Sequence, residues 1–211
     1  MRTLRTLFLI LGICLQIQAQ TQKDVFIKQE LTWYGIDFSL AKFVGDFDNI
    51  SFANNKQAHQ IRDEYFKSWN NVVINENSKF DIPTFYKKQS VQIDLASVEE
   101  QNLNVDSDSM MYWGNPKKLS LERIQATIEK YKATNSSNLG LVFIVEKFDK
   151  TDESAIIHIV FFDTKSKNVL LLKKLEEKPG GIGLRNYWVK TIYNAMSDCS
   201  KYWNKWKKEA K

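Results

Sequence analysis

Cysteine is nearly absent from this chain, and what little there is does not pair. Cys14 falls in the amino-terminal leader described below, which leaves Cys199 alone in the remainder. A disulfide-stapled scaffold and a cysteine-based zinc centre are both excluded. A lone thiol persists best when buried, and Cys199 lies on the apolar stripe of the last predicted helix; an intermolecular disulfide is the other role open to it. Histidine is as scarce, with His59 and His158 far apart in sequence. There is no HExxH, no histidine pair, and no serine, histidine and aspartate order with a nucleophile elbow. With three prolines and eight glycines, no stretch has the composition of a linker, so the chain after the leader reads as one domain. Long apolar runs are missing too. The nine residues Leu7 to Leu15 fall well short of the roughly 20 that a helix needs to cross a bilayer.

That run has its own meaning. Arg2 and Arg5 precede it, and Ile17-Gln18-Ala19 follows it, with a small residue at the end. Positive start, short apolar centre and small-residue finish are the features of a secretory signal, here residues 1–19, with cleavage leaving Gln20 first. A lipoprotein signal ending Leu11-Gly12-Ile13-Cys14 would want a small residue where the bulky Ile13 stands. The formal net charge of +5 includes the two leader arginines, and the balance left without them is ordinary. Export and that small residual charge argue against nucleic acid as a partner, despite a pI near 9.0. The basic residues are mostly lysines, point charges rather than bidentate phosphate forks.

What is present is a succession of apolar patterns. Leu31 to Val44 reads as one strand, with Tyr34, Ile36, Phe38 and Leu40 alternating against Trp33, Gly35, Asp37 and Ser39. Ala58, Ile61, Tyr65, Trp69 and Val72 have helical spacing, with Asn54 or Asn55 available as a cap. Ser90 to Leu95 is a short strand. Ser120 caps a second helix striped by Leu121, Ile124, Ile128 and Tyr131. Leu139 to Lys147 and Ala155 to Asp163 are apolar on both faces, as inner strands are. Asn168 to Leu175 is a third strand. After Pro179-Gly180-Gly181-Ile182-Gly183 breaks the pattern, a last helix runs from Leu184 to about Lys205. The order β-α-β-α-β-β-β-α predicts an α/β (α+β) fold, a single mixed sheet packed by about three helices over residues 20–211.

The run from Leu139 to Trp203 resembles the amino-terminal α/β domain of TolB-type periplasmic proteins and related small domains of envelope assembly lipoproteins. The shared pattern is a buried strand, a second strand ending in Phe162-Asp163, a polar turn, a strand opening Val169-Leu170, and a helix. Tyr34 to Ser39 is similar to strands of other exported bacterial proteins. The resemblance implies an envelope protein that works by binding other proteins, and it supplies no catalytic residues.

Four candidate sites follow from the residues themselves. Met110, Met111, Tyr112 and Trp113 lie in a stretch without periodicity; such stretches are often functional, and polarizable and aromatic side chains suit an adaptable contact surface. The same four could instead pin that loop to the core. Gly180, Gly181 and Gly183 precede a helix with Arg185 in its first turn, an arrangement able to hold an anion or simply to reverse the chain. Asp46, Asp48 and Asp163 sit at strand ends, where they could gather a metal for hydrolysis or merely make turns. Trp203 and Trp206 among Lys201, Lys205, Lys207 and Lys208 could rest on a lipid surface or pack inward. His158, in mid-strand, reads as a hydrogen-bonded structural residue. The expectation drawn from these is a non-catalytic binding module with no cofactor, using the loop around Trp113 and meeting another envelope or secreted protein.

Overall fold

Leu139 to Asp149 is apolar on both faces because it is the hub of the sheet. In the computed structural model, which describes residues 20–47, 56–132 and 137–210, this strand (β5, Leu139–Asp149) pairs antiparallel with β6 (Ser154–Asp163) along one side. Its other side takes two parallel strands in succession. β1 (Glu30–Asp37) lies along Gly140 to Ile144, and β2 (Lys42–Val44) along Lys147 to Asp149. Outside these lie two further parallel strands, β3 (Ser90–Ile93) on β1 and β4 (Met111–Tyr112) on β2. β7 (Val169–Glu177) closes the far side, antiparallel to β6. The fold is therefore α/β with a mixed seven-stranded sheet.

The apolar alternation from Leu31 to Val44, expected as one strand, is two. Asp37 accepts a hydrogen bond from Ser39 N and Ala41 N closes onto Phe38 O, so the chain turns out of the ladder and re-enters at Lys42. Gly35 prepares this break. Its φ of +103° suits glycine, and a Cβ there would stand 2.6 Å from the Asn70 side-chain oxygen.

Helices cover both faces. On the larger face lie α1 (Asp24–Ile27), α2 (Ala58–Gln60), a π-helical turn (Ile61–Tyr65) running into α3 (Phe66–Asn75), α4 (Ile82–Phe85) and the long α8 (Gly183–Glu209). Their side chains bury an aromatic core in which Trp33 meets Phe143, Phe38 stacks on Phe66, Phe148 stacks on Trp188, and Trp203 contacts Phe26 and Phe161. Each such burial stabilises by about 1.5–3 kcal/mol. Between β3 and β4 run α5 (Ala96–Leu103) and α6 (Ser107–Met110), and α7 (Leu121–Ile128) precedes β5. α5 and α7 cover the smaller face, where Val98, Ile124 and Ile128 pack with Tyr34, Val142, Ile144, Val160 and Phe162. Ser120 caps α7 as expected, its hydroxyl accepting from Arg123 N. The expected three helices are joined by several one- or two-turn pieces too short to show a period.

The outer edge of β1 and β2 is completed in an unusual way. β3 ends at Ile93 and β4 begins at Met111, leaving Ile36 to Phe38 without a strand on the side away from β5. Asn70 of α3 accepts from Ile36 N at 2.7 Å and donates to Ile36 O at 3.0 Å, while Asn102 of α5 accepts from Phe38 N at 2.7 Å and donates to Ile36 O. Two buried amides thus stand in for a missing strand, as buried backbone groups require.

Cys199 is fully buried in α8. Burial pushes its thiol well above the ordinary range, which settles it as an inert core residue. No helix among the described residues is long and apolar enough to cross a membrane. The leader, residues 1–19, and the caps Asn54 and Asn55 lie outside the described residues.

Candidate interaction site on the β4 edge

The stretch from Met110 to Trp113 divides between core and solvent. β4 is an edge strand, and alternation along it sends successive side chains to opposite sides. Met110 is buried and Met111 packs partly against the larger core, opposite Phe43. Tyr112 is 37% exposed and Trp113 72%. Gly114, with φ +92° and open space around its Cα, then turns the chain away. The two methionines fix the strand, and the two aromatic rings are left over.

The loop that follows is fastened at its far end. It crosses to the smaller face, where Leu119 packs against the minor core and Leu119 N donates to Glu146 Oε2 at 3.3 Å. Glu146 of β5 is buried and joins a row that runs through His158 of β6 to Lys174 of β7. His158 Nε2 lies 2.7 Å from Glu146 Oε2, and Lys174 Nζ lies 3.0 Å from Oε1. Burial would raise the Glu146 carboxyl, but hydrogen bonds from His158, Lys174 and Leu119 outweigh it and hold the group below its usual range. For His158, burial lowers the imidazole and outweighs the pull of Glu146. The ring is therefore neutral at pH 7, its Nε2–H donates to Glu146, and Nδ1 is buried with no partner among the described residues. His158 is hydrogen-bonded, as expected for a structural residue. Its partners Glu146 and Lys174 were not foreseen; the one available signal was a carboxylate and a lysine interrupting apolar strands on either side of it.

Other expected sites come apart. Val44, just before Asp46, pairs with Asp149 at the finish of β5, whereas Asp163 pairs with Leu139 at its start. At the usual strand rise, that separates the two carboxylates by about 30 Å, so they cannot share a metal. Asp163 instead accepts from Lys165 N and Ser166 N, holding the turn into β7. Asp48 lies outside the described residues, and those residues contain no group of three potential metal ligands. Gly181 and Gly183 take positive φ, and Gly180 N donates to Tyr187 O, so the glycines reverse the chain into α8. Arg185 is turned aside to Asn186, with Glu76 4.0 Å away, and its carbonyl accepts from Trp69 Nε1. The geometry is that of a turn and not of an anion cradle. In the tail, Trp203 and Trp206 are buried against the sheet, so neither indole is presented outward among the lysines, and Lys201 lies over the half-buried Tyr202 ring instead.

A cleft of about 260 Å³ opens beside the gap between β3 and β4. Phe66, Asn70 and Asn102 line it, with Arg62, Lys67 and Glu99 at the rim. The amides are spent on the β1 backbone, and Arg62 is paired with Asp63. Chemistry there would have to come from the rim charges.

No known protein family matches the sequence, and no curated protein does. Among solved structures, the chain is similar to the hypothetical protein CT253 from Chlamydia trachomatis, with 7% identity, coverage of 86% of this chain and 92% of that one, and a TM-score of 0.31. It is also similar to a neuraminyllactose-binding hemagglutinin homolog from Helicobacter pylori, at 11% identity, coverage of 90% and 93%, and a TM-score of 0.27. Likeness at that level carries no argument about function.

Proposed function

We propose that the protein is an exported binding module that docks another envelope or secreted protein on Tyr112 and Trp113, without chemistry of its own. The observation that carries this reading is a contrast among the tryptophans. Of six in the chain, Trp33, Trp69, Trp188, Trp203 and Trp206 are buried, and Trp113 stands 72% in solvent. An exposed indole contributes little to folding, yet it is the side chain that most often anchors a protein interface. Trp113 also sits on a short span held at both ends, by the β2–β4 ladder and by the Leu119–Glu146 bond. Fastening of this kind lowers the ordering cost of binding. Export is supported by the leader pattern, in which Arg2 and Arg5 precede the apolar run Leu7 to Leu15 and the small Ala19 follows it.

The test compares Trp113→Ala with the parent protein in a cross-linked pull-down from the native envelope, with thermal midpoints measured alongside. Loss of a captured partner with an unchanged midpoint supports the reading. Capture of the same partner by both proteins overturns the site. Amino-terminal sequencing of the cellular protein should begin at Gln20; an intact leader would overturn export.

A further inference from the structure

The far edge of the sheet carries a pattern that the Trp113 site does not use. β7 pairs with β6 alone, so nine residues from Val169 to Glu177 present an outer edge to solvent. Among the described residues, the one bond on that edge from elsewhere is Val169 N donating to Gln125 Oε1 at its very start. Long open edges are templates for pairing with another chain. The end of β7 reads Lys173-Lys174-Leu175-Glu176-Glu177. Read backwards, this is the same string with every charge reversed. Laid antiparallel on a copy of itself with Leu175 facing Leu175, the strand sets Lys174 opposite Glu176 and Lys173 opposite Glu177, twice each.

We propose that β7 is the seam of a homodimer, in which two copies pair antiparallel about a two-fold axis through Leu175 and join their sheets. The side chains alternate so that the two charge pairs fall on opposite faces. Lys174 and Glu176 lie on the smaller face with Leu172, and both are exposed. Lys173 and Glu177 lie on the larger face beside α8. Glu177 is buried and its carboxyl is pushed up to about 7, by burial and then by the like charge of Asp198. Among the described residues no lysine or arginine forms an ion pair with it, and Lys173 of a second copy is the cation that the antiparallel register delivers. Lys173 makes a loose 3.8 Å contact to Glu209 and lies 5.1 Å over the Trp206 ring, and pairing with Glu177 of a second copy requires it to exchange the first of these. Along the same edge, an apolar groove between α7 and β7 is lined by Leu121, Val169, Leu170 and Leu172; a second copy seated on β7 shields its open side.

Sedimentation of the purified protein across a concentration series, run beside Glu176→Lys, tests the seam. Glu176 is exposed and makes no contact that the fold needs, so the variant remains folded. The expected result is a reversible dimer whose dissociation constant rises about tenfold in the variant, because two attractive cross-strand pairs become repulsive. A second variant reads the register directly. Leu175→Cys should form a disulfide-linked dimer in air far faster than Leu172→Cys, since position 175 meets itself and position 172 does not, while buried Cys199 does not compete. A protein monomeric throughout the series overturns the proposal. So does a dimer indifferent to Glu176→Lys, or one in which the two cysteine variants cross-link alike.

Discussion

On one side the sheet ends in two short strands, β3 and β4, with a gap between them that Asn70 and Asn102 fill; on the other it ends in the unbroken length of β7. The first edge is finished from within the chain. Its backbone groups are met by side-chain amides, and what it offers to solvent is the aromatic pair at the end of β4. The second edge, beyond the bond from Val169 N to Gln125, pairs with no further strand among the described residues and carries charges instead. Lysines on an edge strand ordinarily discourage pairing, but lysines followed by glutamates in mirror order discourage every register except one. The comparison teaches that an edge can be closed by chemistry placed across it or left open and made selective by charge.

The closed edge breaks most severely at Asn70. Replacing it with alanine strands Ile36 N without a partner in a dry environment, and the cost of a buried unmet donor with its lost bonds is about 3 kcal/mol. Urea unfolding should show that loss; a change below about 1 kcal/mol would mean that water or the backbone substitutes for the amide.

The open edge responds to pH. The folded-state value of Glu177, near 7, lies above the 4.5 of an exposed glutamate. Below 4.5 the group is protonated in both states, and as pH rises through 7 the folded protein must hold a charge in a poor environment. Stability of the dilute, monomeric protein should fall across that window by on the order of 1–3 kcal/mol. Glu177→Gln should remove the fall. An identical pH profile for variant and parent would show that solvent reaches the carboxylate.

The row that fastens the Trp113 loop has the opposite slope. His158 titrates below its usual 6.5 in the folded state, so stability is lost as pH falls from 6.5 towards the folded value. Glu146, also lowered, adds its loss below 4.5. His158→Gln, which can still donate to Glu146, should flatten the thermal midpoint between pH 6.5 and 5. The smallest effect on the fold belongs to Trp113→Ala, expected within about 0.5 kcal/mol of the parent. A larger drop would place the ring in the core and leave the β4 edge without its site.

The inner strands were legible because burial on both faces leaves an unmistakable composition. β5, β6, β7 and α8 lie within a few residues of where periodicity puts them. The split of the first strand was not legible, because Phe38 and Leu40 continue the alternation straight through the break; the cause is a glycine bulge and an Asx turn, which depend on Asn70 arriving from α3. The exposure of Trp113 could be posed from sequence but not decided, since an aromatic after two methionines fits either side of an edge strand. Glu146 escaped notice because its meaning lies in partners on two other strands. Asp163 and the glycines before α8, read as possible ligands, hold turns. Turn residues and ligands are the same residue types, and the distance from one end of β5 to the other is what separates those roles here.

The position of β5 has a consequence in time as well as in space. β1 and β2 lie near the amino terminus, but the strand that joins them begins at Leu139. Until then they can find only β3 and β4, each a few rungs long. A chain appearing from its amino end therefore holds Trp33, Phe38, Phe43 and Trp69 uncovered by the hub strand until Leu139 and its successors have appeared. The meander from β5 to β7, with local connections, forms quickly by comparison, and the earlier strands then dock onto it as a group. A chain stopped short of Leu139 should be insoluble and dependent on a holding chaperone, while the same residues become a protein once the hub strand is supplied.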